Sequence, residues 1–250
     1  MKKCPDCKQV YQDSDLLCAN DGEMLIIKHN PGLFTLGKTP FNITRARLFG
    51  VLIWLIYGFF SYLLIAISLQ YIPYDTDVAF LRIKQDVIDV PFYKLAFFTH
   101  VYTAIFVLPA GFTQFSGFIR KNFPRVHKYT GWGYAVAVIC LAGPAGFYMG
   151  LFANGGVTSQ VSFCLLAALW IYFTGVAIAK VIRGDIKSHR EFLIRSFALT
   201  LSALTLRAWK YLLVFLFQPR PMDVYEIVAW LGWIPNLIIA ELIVRKYIKF

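Results

Sequence analysis

Four residues near the carboxy-terminal end of the chain could do chemistry together. His189, Ser196, Thr200 and Arg207 fall in a narrow arc of one face when a helix is counted at about 100° per residue. They sit in an otherwise apolar run, where an arginine costs roughly 2.5–3.5 kcal/mol on insertion scales and so calls for a partner or a task. A second stripe, His100, Thr103, Gly111 and Gln114, repeats the pattern upstream. If the two stripes face each other, His100 and Arg207 meet near one membrane surface, while Gln114 meets His127 and His189 near the other. Alternating cations and hydroxyls suit the oxygens of a small anion or a quinone-like molecule. The plainer readings are a His100 hydrogen-bonded between helices and an Arg207 that snorkels outward to headgroups. Arg195 lies about 120° off the stripe and reads as an interfacial residue that pairs in a loop, with Asp185 or Glu191. Glu241, close to the end of its run, is likewise expected to find a loop partner.

His127 and His189 both begin apolar runs at the same end, which meets the depth condition for a paired haem-ligand site. They lie at the water boundary, however, each followed by a basic residue (Lys128, Arg190), and His100 has no histidine at its own level. Pairing of phosphate or carboxylate by this surface cluster is the simpler expectation, and a haem- or quinone-linked redox protein is the alternative. No G-x-S-x-G, H-E-x-x-H, phosphate-cradling glycine loop or paired intramembrane carboxylates occur.

The elements that must position these residues follow from composition. The chain of 250 residues is 58% hydrophobic and 16% charged, the balance of a polytopic membrane protein. Six runs, 48–70, 93–118, 130–153, 161–182, 192–217 and 225–244, match the ~20 residues that cross a core ~30 Å thick. Each must be helical, because lipid satisfies no backbone groups. The expected fold is therefore an all-α integral membrane protein with six transmembrane helices, its four-helix core at 93–217. Pro109, Pro144 and Pro235 fall near mid-membrane as kinks, with Pro109 and Pro144 able to open a cavity between spans two and three. Gly146 and Gly150 predict a close helix contact.

The 25 lysines and arginines against 14 acids form no single basic patch, which excludes a nucleic-acid reading. They cluster instead in alternate loops, around Arg45 and Arg47, 120–128, 183–190 and Arg245-Lys246, whereas 74–89 carries four aspartates. Positive-inside topology then places both termini in the cytoplasm of a bacterial inner membrane. The hydrophilic opening predicts no cleavable signal peptide, so the first apolar run acts as an uncleaved anchor.

The opening itself reads Cys4-Pro5-Asp6-Cys7, then Cys18-Ala19-Asn20-Asp21-Gly22. Two thiolates on a tight C-x2-C turn and a second knuckle converge on one tetrahedral ion, giving a structural zinc site of Cys4, Cys7, Cys18 and Asp21. Tyr11, Leu17 and Leu25 would supply its small core, and the metal most of its stability. This segment resembles short bacterial zinc-ribbon modules with a C-P-x-C…C-x-x-D-G pattern. A zinc ribbon at 1–27 and a linker at 28–47 thus precede the transmembrane domain at 48–250. Mixed charge (Lys2, Lys3 and Lys8 against Asp6, Asp13, Asp15 and Glu23) points to docking of a cytosolic or membrane protein rather than to nucleic acid.

Beyond the ribbon, the order His100, Gln114-Phe115, Arg120…Pro124…His127-Lys128-Tyr129-Thr130-Gly131, Trp170, His189-Arg190…Ile194-Arg195-Ser196 and Thr205-Leu206-Arg207 resembles a family of bacterial predicted membrane proteins of unknown function, over about 93–211. The pattern departs at His127-Lys128, where His-Arg is usual. The resemblance implies a membrane location and four core helices, and it implies no reaction.

Overall fold

The computed structural model describes residues 2–4, 9–12, 18, 26–27, 43–72 and 75–247. The chain divides into two compact units, Met1–Trp54 and Leu55–Phe250. In the first, strands β1 (Lys2–Lys3), β2 (Val10–Tyr11) and β3 (Ile26–Ile27) form an antiparallel sheet in the order β2-β1-β3. Helix α1 (Ile43–Leu69) begins inside the stretch read above as linker, with Thr44, Arg45 and Arg47 in its first turns ahead of the apolar run.

Six helical stretches among the described residues are long and apolar enough to cross a membrane: Gly50–Leu69, Tyr93–Phe115, Pro124–Gly150, Gly156–Ile182, Ile186–Phe217 and Met222–Lys246. They answer the six predicted runs one for one. The third and fifth begin earlier than hydropathy suggests, because Pro124 and the Asp185 cap each start a helix one or two turns ahead of the apolar stretch.

Within the second unit, α2 (Tyr93–Phe115) packs on the whole of span three: α4 (Pro124–Val136), a wide π-type segment (Ala137–Ala142) and α5 (Gly143–Gly150). The short helix α3 (Gly117–Asn122) links α2 to α4. Helix α6 (Gly156–Ile182) lies between α5 and α7 (Ile186–Thr200), and α8 (Ser202–Phe217) continues span five. The sixth span, α9 (Pro221–Leu231) and α10 (Ile234–Tyr247), belongs to the core as well, because α9 packs on α6 and α8, α10 packs on α7, and Trp233 joins the main buried cluster. The expected four-helix core therefore extends to a fifth helix. A carboxylate on that helix draws it in, as shown below.

Gly150 brings α5 and α6 together as expected, since a Cβ there would stand 3.1 Å from the Cys164 Sγ. Pro144 follows the π segment, where Gly143 N–H reaches back to Val138 O in place of the ordinary bond. The turn between spans four and five closes on Gly184 (φ 77) and on Asp185, whose carboxylate accepts from Ser188 N–H at 3.1 Å. That turn sets the depth at which His189 enters.

Span five is not the continuous helix the sequence suggests. It breaks at Leu201 between α7 and α8, without a proline or glycine. Asn236 stabilises the break from span six, donating to Ala198 O (3.2 Å) and Thr205 Oγ1 (2.9 Å).

The loop between spans one and two folds into a roof rather than a solvated acidic strand of chain. Tyr71, Leu81, Ile88, Tyr93 and Phe97 form a small buried cluster there, against which Tyr148, Met149 and Phe152 pack.

Candidate functional site

The π segment fixes His100. Its Nδ1 lies 2.8 Å from Ala142 O, and because a carbonyl only accepts, Nδ1 carries the proton and Nε2 keeps its lone pair. The ring fits because position 146 is glycine: a Cβ there would stand 3.0 Å from the imidazole Cε1 and Nδ1.

Arg207 lies within electrostatic range of His100, Tyr71, Tyr211 and Tyr225. Its guanidinium does not reach outward. It folds back along α8 and donates through Nη1 to Ala203 O, one turn deeper in its own helix. Among the described residues no carboxylate stands within ion-pair distance of it, so most of its donor fork is open. Tyr71 joins this group from the roof: its hydroxyl accepts from Phe80 N–H (3.2 Å), and its carbonyl accepts from the Tyr102 hydroxyl (3.0 Å). Burial raises the Tyr71 phenol above its ordinary range, with the Phe80 amide and the Arg207 charge opposing. The phenol thus stays a neutral donor beside the guanidinium.

Thr200 shares the Arg207 stripe in sequence but is spent elsewhere. Tyr134 holds both Ser196 Oγ and Thr200 Oγ1 at 2.7 Å, Trp170 Nε1 donates to Thr200 Oγ1 at 3.0 Å, and Thr174 Oγ1 meets Ser196 Oγ at 2.7 Å. Ser196 and Thr174 are 0% and 1% exposed. This closed network ties spans three, four and five, and its members satisfy one another.

Gln114, His127 and His189 gather at the opposite, basic end. Gln114 Nε2 donates to Thr130 Oγ1 (2.8 Å) and His127 O (3.2 Å). His189 Nδ1 donates to Ala177 O at 2.8 Å. The residues of the two sequence stripes therefore occupy three places: His100 with Arg207, Thr200 in the central network, and Gln114 with the two histidines.

Residues 97–244 match the family described as predicted membrane protein DUF2306. The chain belongs to this family. No curated protein and no solved structure matches it. The DUF2306 region runs from the second span through the sixth, further than the 93–211 expected, and the extra length carries the helix that supplies Glu241 and Asn236. All three places described above lie within it, Tyr71 excepted.

Two features of the structure were missed in the sequence. Arg195 and Glu241, each assigned a loop partner, pair with each other across spans five and six: Nε–Oε1 is 2.5 Å and Nη2–Oε2 is 3.1 Å. Arg195 also lies over the Phe192 ring at 5.0 Å. The signal was available, since each lies three residues inside the end of its own apolar run (192–217 and 225–244) and carries the charge the other lacks. The second feature is Lys84, which lies in the aspartate-bearing loop 74–89. It is 2% exposed and donates to Phe152 O and Asn154 Oδ1, pinning the roof to the turn after span three. Burial pushes its ammonium below the ordinary lysine range, with the Asp86 charge opposing.

The cysteine segment precedes the DUF2306 region. Cys4 and Cys18 are buried together with Tyr11 packed on them, and the Tyr11 hydroxyl lies 3.1 Å from Cys18 Sγ. Cys7, Asp21, Leu17 and Leu25 lie outside the described residues. Among the described residues no group of three or more metal-ligating side chains gathers.

Proposed function

We propose that the space between His100 and Arg207, beneath the roof, binds a small anionic or quinone-like molecule. The observation that carries this reading is the inward fold of Arg207. A snorkelling arginine would extend toward the headgroups, and a structural one would hold a carboxylate. Arg207 does neither, and it is accompanied by three neutral phenols that can donate to carboxylate, phosphate or quinone oxygens, while the free Nε2 of His100 can accept from a ligand O–H. Mass spectrometry of small molecules retained by protein purified in nanodiscs tests it. The parent should carry one stoichiometric compound of this class, and Arg207→Leu should lose it while remaining monodisperse. A parent that retains nothing, or a variant that retains the compound equally, would overturn the proposal.

The loop charges support a bacterial inner-membrane location with both termini cytoplasmic. Buried Cys4 and Cys18 support a structural zinc held with Cys7 and Asp21, in a ribbon that docks a cytosolic or membrane protein. Metal analysis of the full chain should find one zinc that is lost in Cys4→Ser. Equal zinc in both, or none in the parent, would refute the site.

A further inference from the structure

The central network also sets the register of the two remaining histidines. Helices α4 and α7 belong to spans that both start at the basic end, so they run in the same direction. Tyr134 of α4 and Ser196 of α7 face each other across a 2.7 Å hydrogen bond. His127 precedes Tyr134, and His189 precedes Ser196, by the same interval of two helical turns less a fraction. Each histidine therefore shares the face of the residue that makes the bond, about 10 Å nearer the basic end. The two imidazoles enter one gap at closely similar depth, and they are within electrostatic range of each other.

Helices α4 and α7 stand diagonally. Each packs on α2 and on α6, and Tyr134 reaches across between them. The Ala177 carbonyl fixes the His189 tautomer with Nε2 unprotonated, the form that ligates metals. On the other side, His127 Nδ1 is buried without a hydrogen-bond partner.

The surroundings select among metals. Arg120 lies within electrostatic range of His127, and Arg190 of His189. The nearby Asp185 is engaged with Lys180 at 3.2 Å and with the α7 amino terminus. A bare dication would meet repulsion and only two neutral ligands there. A metal complex that carries its own carboxylates would meet a cationic rim suited to them.

We propose that His127 and His189 are the axial ligands of a haem set between spans three and five, its propionates toward Arg120 and Arg190. Arg190, which weighs against haem in the sequence, becomes in this geometry, together with Arg120, a partner of its acidic edge. The site is separate from the space between His100 and Arg207, and either can fail without the other.

The test is spectroscopic, on the full chain in nanodiscs, purified from haem-replete cells and then titrated with haemin. The expected result is a saturable, one-to-one, low-spin bis-imidazole spectrum. His127→Gly and His189→Gly should each lose the low-spin signature and weaken haemin binding at least about tenfold. Added imidazole should restore the low-spin spectrum to each glycine variant, a rescue that a purely structural histidine would not show. His100→Ala should leave the spectrum unchanged. Parent protein with no Soret band and no saturable titration would overturn the proposal, as would a low-spin spectrum that survives both glycine substitutions.

Discussion

Arg195 and Glu241 meet across the fifth and sixth spans in a two-pronged ion pair, with contacts of 2.5 and 3.1 Å. Arg207, on the next helix of the same span, has no such partner among the described residues. The contrast separates two tasks for one residue type. The first guanidinium is neutralised and holds helices together, and the second keeps its donors open beside His100.

The Arg195 pair should behave as a coupled unit. Arg195→Met leaves the Glu241 carboxylate, 34% exposed, with only Arg245 among the described residues, at 4.0 Å, so it should destabilise the protein more than Arg195→Met with Glu241→Gln. A coupling of about 1–3 kcal/mol is expected from thermal or denaturant unfolding in detergent. Additive effects of the two substitutions would show that the pair is only an exposed contact.

Tyr134 is the hub of the central network, so Tyr134→Phe removes one hydroxyl and strands several partners. A loss of about 1–2 kcal/mol is expected, within the range for interhelical hydrogen bonds in membranes. Thr174→Val, which removes one outer member, should cost less. The reverse ranking in unfolding midpoints would place the hub elsewhere.

The roof should strengthen with alkalinity. Lys84 titrates lower when folded than its ordinary 10.5, so between those two values the unfolded roof binds more protons than the folded one. The cost of burying the charge is fully present below the folded value, and it is relieved as pH rises through the window toward 10.5. Hydrogen exchange of 81–93, corrected for its intrinsic pH dependence, should show growing protection across that window. Lys84→Met should abolish the pH dependence, and a persistent slope in that variant would assign it to another group.

Gly146 makes space for the His100 ring, where a Cβ would stand 3.0 Å away. Gly146→Ala should push the imidazole off Ala142 O and weaken ligand retention by roughly tenfold, or ~1.4 kcal/mol, without altering any charge. Unchanged retention would mean that the ring position does not matter for binding.

The six spans were legible because lipid leaves an apolar run of such length no alternative to a helix. His100 and Arg207 stood out in the sequence for the same reason: polar groups in such runs are few. What escaped depends on contacts between distant segments. The break at Leu201 has no local breaker and is stabilised by Asn236 of another span. Thr200 meets Tyr134 and Trp170, whereas Arg207 lies within electrostatic range of Tyr71 and Tyr225, neighbours that a count along one helix does not name. The roof escaped because Lys84 and its acidic surroundings have a solvent-exposed composition, yet Phe152 and Asn154 complete the burial. The similar depth of His127 and His189 was legible, but that their helices face each other needed the Tyr134–Ser196 bond, which hydropathy does not encode.

The most direct test of the central claim is the density between His100 and Arg207 in an experimental structure of the parent in lipid nanodiscs. The account predicts a compact, non-protein feature within hydrogen-bond distance of the Arg207 guanidinium, absent from Arg207→Leu. A guanidinium extended to the headgroups, or one paired with a carboxylate of the chain and no density beside it, would contradict it.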